Sequence, residues 1–417
     1  MREALLKRFL RYVKIDTQSK EGVTDRFPST EKQIDLSKIL VSELKELGCK
    51  DAGINTYGYV TGTFKSNLPR KVSESIPVIG FLAHVDTSPE VSGKNVKPVI
   101  HKNYQGEDIY LPGDKSQIIT VKDNPELKKY IGEDIITSDG TTLLGADDKA
   151  GVAEIMTMLQ YLQEHPDLKH GSLKIGFTPD EEIGRGTEHF NVKKFQADYA
   201  YTVDGSKAGE IENETFNASV AECTVTGKNL HPGYAKDKLV NSIKIISEIV
   251  EKLQSLPAPE TTEKREGYIH PYQLQGGVEK STLKILIRDF ELKGNERKAE
   301  KLSKICKSMH KKYPRSKIDL NIKEQYRNMR LKLDKQPKVT EYALQAVEQT
   351  GLKPKLHIIR GGTDGAKLCY KGLLTPNIFT GGMNFHSKTE WIPVPAMEKT
   401  VETLINLIQI WTKKNNQ

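Results

Sequence analysis

PVIGFLAHVD (77–86) is apolar almost without interruption, as expected for a strand covered on both faces. SLKIGFT (172–178) and ADYAYTVD (197–204) repeat that texture. Between the first two, residues 148–164 place Val152, Ile155, Met156, Leu159 and Leu162 on one helical face. Strand, helix, strand, strand is an α/β pattern, and in such folds chemistry collects at strand ends. Upstream, MREALLKRFLRYVKI reads as an amphipathic helix, broken by Arg or Lys every few positions. Thr30 and Gln33 fit a capping box and Gly48 follows the last periodic turn, so a capped helix is predicted over 31–47. NTYGYVTGTF (55–64) alternates like a hairpin or edge strand. Residues 88–140 are rich in Gly, Pro, Asp and Asn and read as a long loop or a small β insertion.

Around residue 215 the pattern changes. NASVAECTVTG (217–227) alternates with period two, LVNSIKIISEIVEKLQSL (239–256) is helical, and two strand-like runs occupy 265–291. A lysine-rich helix over 293–317 and KIDLNIKEQY (317–326) complete β-α-β-β-α-β, the ferredoxin-like order. Residues 216–328 therefore read as a lid domain inserted between two parts of one catalytic domain, 1–215 and 329–417. Motifs with site chemistry return after the insertion. Helices are expected over 339–351 and 395–414.

The length of 417 residues also favours two domains. With 36% hydrophobic and 28% charged residues, the chain reads as soluble and globular. Apolar runs of only a few residues exclude a membrane-spanning helix, and the N-terminus lacks the apolar core of a signal peptide. Four scattered cysteines without a CxxC pair speak against a thiolate metal site and fit a reduced, cytoplasmic setting. The net charge of +8 owes much to lysines at 293–317. Leu302, Ile305 and Met309 recur there at helical spacing, so the lysines form a solvated face. Without interleaved aromatics they do not read as a nucleic-acid patch.

Candidate chemistry is scattered along the chain. In AHVDT (83–87), His84 and Asp86 share one face of a strand. A ligating imidazole commonly hands its other N–H to a carboxylate, although a polar strand end needs no ligand. In LLGADDKAGVAE (143–154), Asp147 and Asp148 sit where a glycine-containing loop enters a helix. One of them could cap the helix, or a carboxylate could bridge two metal ions. FTPDEEIG (177–184) sets Asp180, Glu181 and Glu182 in a row. A lone acidic triplet is usually a solvated loop; beside a metal, neighbouring carboxylates can do different jobs. VDGS (203–206) offers Asp204 and NFHSKTEW (384–391) offers His386. Together, His84, Asp147, Glu181, Glu182, Asp204 and His386 form a mixed histidine–carboxylate set that suits zinc, with cobalt or manganese able to substitute.

HVDT, GADDKAG, TPDEEIG, VDG and GGMNFHSKTEW, in this order, resemble the family of zinc aminopeptidases, deacylases and carboxypeptidases with a cocatalytic dinuclear site. HPGYAK (231–236), IRDFE (287–291) and RGGTDGA (360–366) extend the likeness over nearly the whole chain. The resemblance implies a zinc-exopeptidase-like catalytic domain with a mixed central sheet. It implies that His84 and Asp204 hold one zinc, Glu182 and His386 the other, and that Asp147 bridges them. Asp86 would stand behind the site, and the bond between Asp147 and Asp148 would be cis. Glu181 would be the general base, taking a proton from water and delivering it to the leaving amine. Asp180 is expected to serve the turn. In the lid, His231 would donate to the carbonyl oxygen, and either Arg288, at the end of a lid strand, or Arg360, before the GGTDG run, would grip a peptide carboxylate with a two-point fork. The expected activity is removal of the N-terminal residue from tripeptides, by a protein that binds neither nucleic acid nor membrane and pairs as a homodimer through its lid. A dipeptidase, carboxypeptidase or deacylase of the same fold fits the same residues, as does, in another class, a non-catalytic peptide-binding protein.

Overall fold

A computed structural model describes residues 1–414. The chain divides into two units, one of residues 1–213, 331–357 and 363–414, the other of residues 214–330 and 358–362.

The first unit is built on a mixed sheet. Leu173–Thr178, Ile79–His84, Tyr199–Gly205 and Asn377–Phe379 run parallel in that spatial order. Val60–Phe64 joins one side antiparallel and Glu210–Thr215 the other. Ile79–His84 is buried at every position, because strands flank it and helices cover the sheet. Within the 55–64 stretch, Val60–Phe64 forms a hairpin with Gly53–Ile54, which is the outer strand. The 88–140 region is a small β insertion in which Ile135–Thr137 pairs with Val99–His101 and with Trp391–Pro393.

Two helices depart from their sequence patterns. The helix Gln33–Glu46 begins without a side-chain cap. Gln33 still reaches Thr30 Oγ1 at 3.1 Å, but both ends of its amide are engaged by Asp180, a buried carboxylate 147 residues away that needs donors. The helix Ala146–Glu164 is buried on nearly every face rather than one. It packs on the strands Ile79–His84 and Tyr199–Gly205 on one side and on the helices Arg2–Tyr12 and Val394–Lys414 on the other. Among the described residues no helix is long and apolar enough to cross a membrane.

Burial of that helix traps Glu154, whose two carboxylate oxygens have no hydrogen-bond partner among the described residues. Burial pushes its carboxyl well above the usual range. The folded state thus holds a proton that the unfolded chain releases. Stability must fall as pH rises from the ordinary glutamate range towards the raised value, by about 1.4 kcal/mol per pH unit. Glu154→Met removes this penalty. It is expected to raise the melting temperature more at pH 8 than at pH 5, and an equal change at both would mean that Glu154 is already compensated.

The second unit has the sheet order Tyr268–Gly276, Lys280–Asp289, Asn217–Thr226, Lys317–Tyr326, antiparallel throughout. The helices Ser242–Leu253 and Leu292–Lys312 pack on it, giving the ferredoxin-like arrangement. Leu302 and Met309 turn into its core and leave the lysines to solvent. Ile358–Gly362 belongs to this unit because Arg360 ties it there. The Arg360 guanidinium donates to the carbonyls of Thr262, Lys264 and Glu266 and lies over the Phe216 and Tyr268 rings.

Candidate dinuclear metal centre

The carboxyl ends of the parallel strands gather the predicted residues. His84 closes one strand and Asp204 lies near the end of its neighbour. Glu181 and Glu182 follow Leu173–Thr178, and His386 lies in the loop after Asn377–Phe379. The His84 Nε2 stands 2.9 Å from Asp147 Oδ1 and 3.4 Å from Asp204 Oδ1. On the other side His386 Nε2 stands 3.3 Å from Asp147 Oδ2 and 2.7 Å from Glu182 Oε2. His84, Asp147 and Asp204 thus make one trio, and Asp147, Glu182 and His386 another, with the donor atoms of each within 4.8 Å. Asp147 is in both and turns one oxygen to each histidine. The buried Glu182 Oε1 has no hydrogen-bond partner among the described residues. An orphaned carboxylate oxygen beside a histidine and a second carboxylate is a cation ligand in chemistry, so the residues fit two metal ions.

Asp86 lies behind this set and is fully buried. The His84 Nδ1 is 3.0 Å from the Asp86 carbonyl oxygen, which accepts the Nδ1 proton and leaves the Nε2 lone pair facing the trio. The Asp86 carboxylate accepts the backbone N–H groups of Glu181 at 3.0 Å and Glu182 at 3.2 Å. One aspartate therefore orients an imidazole and the turn that bears both glutamates. The Glu181 side chain belongs to neither trio and stands on the same turn.

Asp147 and Asp148 point apart. Their peptide bond is cis and neither has helical backbone angles. Asp148 turns inward and accepts the N–H groups of His84 and Gly151. Only glycine fits at 151, since a Cβ there would overlap the Val203 carbonyl oxygen. The loop entering Asp147 is gripped by Glu390, which lies in NFHSKTEW near His386 but is not among the predicted site residues. Its Oε2 accepts the N–H groups of Leu144 and Gly145 at 2.8 and 2.7 Å, and its Oε1 that of Asp147 at 3.0 Å. Asp364, in RGGTDGA and likewise outside the predicted site set, accepts from Thr178 Oγ1 at 2.8 Å.

Charge is poorly balanced among these groups, as crowded acids require. Burial, then Asp147, pushes Glu182 up to about 8. Burial raises Asp204 to about 7 although His84 opposes it. Burial alone would lower His386, but Asp147 and Glu182 hold it up at about 11. Burial, then the neighbouring Asp364 carboxylate, pushes Glu181 well above the usual range. That is the direction a general base needs in order to take a proton near neutrality.

The three residues expected to touch substrate all belong to the inserted unit. The His231 Nδ1 accepts the N–H of Gly233 at 3.2 Å, so the neutral ring carries its proton on Nε2, as a donor must. The Arg288 fork does not face solvent. It donates to the Ser219 and Ile287 carbonyls and to the Gln325 side chain, with the residue only 8% exposed. Arg360 spends both terminal nitrogens on the 262–266 segment. Both arginines therefore tie strands and loops within their own unit.

Comparison with known proteins follows the same lines. The family model "Peptidase family M20/M25/M40" matches residues 139–410. Peptidase T of Clostridium acetobutylicum is 48% identical over 412 residues, covering 99% of this chain and 100% of that protein. Peptidase T of Caldanaerobacter subterraneus subsp. tengcongensis is 49% identical over 410 residues, covering 98% and 99%. Among solved structures, aminopeptidase PepT from Bacillus cereus superposes with a TM-score of 0.76 at 23% identity, covering 99% of each chain. A tripeptidase from Staphylococcus aureus reaches 0.77 at 20% identity, also covering 99% of each chain. These two likenesses establish the fold.

Proposed function

Because this chain belongs to the peptidase family M20/M25/M40, we propose that it is a metallo-exopeptidase that removes the N-terminal residue from tripeptides. The observation that carries the reading is the pair of ligand trios sharing Asp147, with the non-ligating Glu181 on the turn beside them. His84 and Asp204 would hold one ion, Glu182 and His386 the other, and Asp147 both. We take the ions to be zinc, which imidazole and carboxylate donors without thiolates suit, with cobalt or manganese as substitutes. When bound, such ions polarise the peptide carbonyl and bring the pKa of water to about 7. Glu181 takes a proton from the attacking water as its oxygen bonds to the carbonyl carbon. When the C–N bond breaks, Glu181 returns the proton to the departing amine. Asp86 keeps Glu181 and Glu182 in place through their N–H groups.

A turnover panel of di-, tri- and tetrapeptides, each with a free or acetylated N-terminus, tests this. Cleavage of the first bond of free tripeptides is expected, with the others slow. Preference for N-blocked substrates would point to a deacylase or carboxypeptidase, and cleavage of none to a peptide-binding protein. We further propose a cytoplasmic setting, which the four free, buried cysteines support. A homodimer through the inserted unit is supported by its edge strand Tyr268–Gly276, where Tyr272 and Leu274 are exposed.

Glu390 should matter to metal binding without touching metal. In Glu390→Gln the new NH2 must face a backbone N–H at one end of the loop. The variant is expected to bind its metals about 10–100-fold more weakly, read by competition with a chelator. Wild-type affinity would mean that the loop holds Asp147 unaided.

A further inference from the structure

Asp180 begins the turn that carries Glu181 and Glu182, and it is fully buried with a left-handed backbone, φ +58°. Aspartate tolerates that conformation better than most residues, and at a buried position its neighbours decide whether it is held there. Here the imposing groups come from the N-terminal segment. The Asp180 carboxylate accepts the N–H of Ser29 at 2.7 Å, the Ser29 hydroxyl at 2.5 Å and the Gln33 amide Nε2 at 2.7 Å. In return, the Asp180 backbone N–H donates to Gln33 Oε1 at 3.0 Å. Gln33, itself fully buried, is thus bonded to one residue through both ends of its amide. It cannot flip without setting NH2 against N–H. Two clamps therefore hold the turn, Gln33 with Ser29 at its entry and Asp86 at its next two N–H groups. Inside it, Gly184 and Arg185 donate back to the carbonyls of Glu181 and Asp180. The clamp on Asp180 is costly to bury and contacts neither metal trio, so its consequence falls on the aim of the next side chain.

We propose that Gln33 and Asp180 are positioning residues for Glu181: their paired amide and carboxylate fix the direction in which the base meets water. The inference rests on Glu181 being the base.

The pair's direction can be reversed chemically, which gives the test. Asp180→Asn sets its new NH2 against either the Gln33 NH2 or the Ser29 N–H, and Gln33→Glu sets two carboxylates against each other. The Gln33→Glu/Asp180→Asn double variant restores one donor and one acceptor, and the N–H of residue 180 keeps its acceptor. Each single variant is expected to lose about tenfold to a hundredfold in kcat, the cost of misaiming a reacting group, with KM and a content of two metal ions retained. Backbone amide exchange over residues 180–185 should quicken in the single variants. The double variant should recover kcat to within about threefold of wild type and slow that exchange again. Wild-type kcat in both single variants, or a double variant no better than the worse single, overturns the proposal. So does a loss of kcat that follows lost metal. If the single variants do not fold, Ser29→Ala removes only the hydroxyl donor; it should still lower kcat about threefold, and an unchanged kcat overturns the proposal. Glu181→Gln, assayed alongside, separates the two readings. If it is active, the assignment of the base fails. If it is inactive while the single variants behave as wild type, only the positioning role fails.

Discussion

Glu181→Gln protein should bind two metal ions, melt at the wild-type temperature and turn over about 10²–10⁴-fold more slowly. Glutamine has the shape of glutamate, and the backbone N–H of residue 181 will still reach Asp86 Oδ1. The amide cannot accept a proton, so neither activation of water nor delivery of the proton to the leaving amine survives. Glu182→Gln is the control, because it sits one residue on and has a different job. Its Oε2 stands 2.7 Å from His386 Nε2 and its Oε1 is buried without a partner among the described residues. That substitution should lose one ion of the pair. Metal analysis and steady-state kinetics on the two variants read the division of labour directly. A Glu181→Gln enzyme within about threefold of wild-type kcat would remove the residue from the role of base.

The residues of the two candidate trios were legible along the chain, and so was Asp86 behind them, whereas the holding roles of Glu390 and Gln33 were not. His84 and Asp86 sit two apart on a buried strand, so the period of a strand puts them on one face. Asp147, Glu182, Asp204 and His386 lie in short motifs whose order resembles a known family. Glu390 and Gln33 work through contacts 243 to 246 and 147 residues away. No local periodicity can announce such a contact, and Gln33 has a plausible local use in a capping box. Asp180 draws the amide as well because a fully buried carboxylate short of a donor costs more than a helix end open to water. The helix Ala146–Glu164 misleads for a related reason. Its stripe of Val152, Ile155, Met156, Leu159 and Leu162 is real, but helices also cover its other faces and bury Lys149, Glu154 and Thr157. Arg360 lies between residues of the first unit in sequence, yet its cross-chain ties place it in the second. The ferredoxin-like insertion was easier, because each of its strands and helices carries its own period.

Asp147→Ala should remove both ions at once, where loss of any other ligand removes one. The reason is the way its two oxygens are shared, Oδ1 towards His84 and Oδ2 towards His386. His386→Ala leaves the trio of His84, Asp147 and Asp204 complete. Elemental analysis should therefore give two ions per chain for the wild type, one for His386→Ala and none for Asp147→Ala. A thermal measurement offers a second reading that needs no catalysis. An ion that binds only the folded state stabilises it by about 2.7 kcal/mol at a hundredfold excess over its Kd, so added metal should raise the wild-type melting temperature. That rise should shrink in His386→Ala and vanish in Asp147→Ala. In chelator, Asp147→Ala also relieves Glu182 of a carboxylate that helps to push it up to about 8, so the loss of metal response need not come with a collapsed fold. One ion retained by Asp147→Ala, with a metal-induced rise like that of His386→Ala, would show that the aspartate serves one site only, and the bridged arrangement would have to be given up.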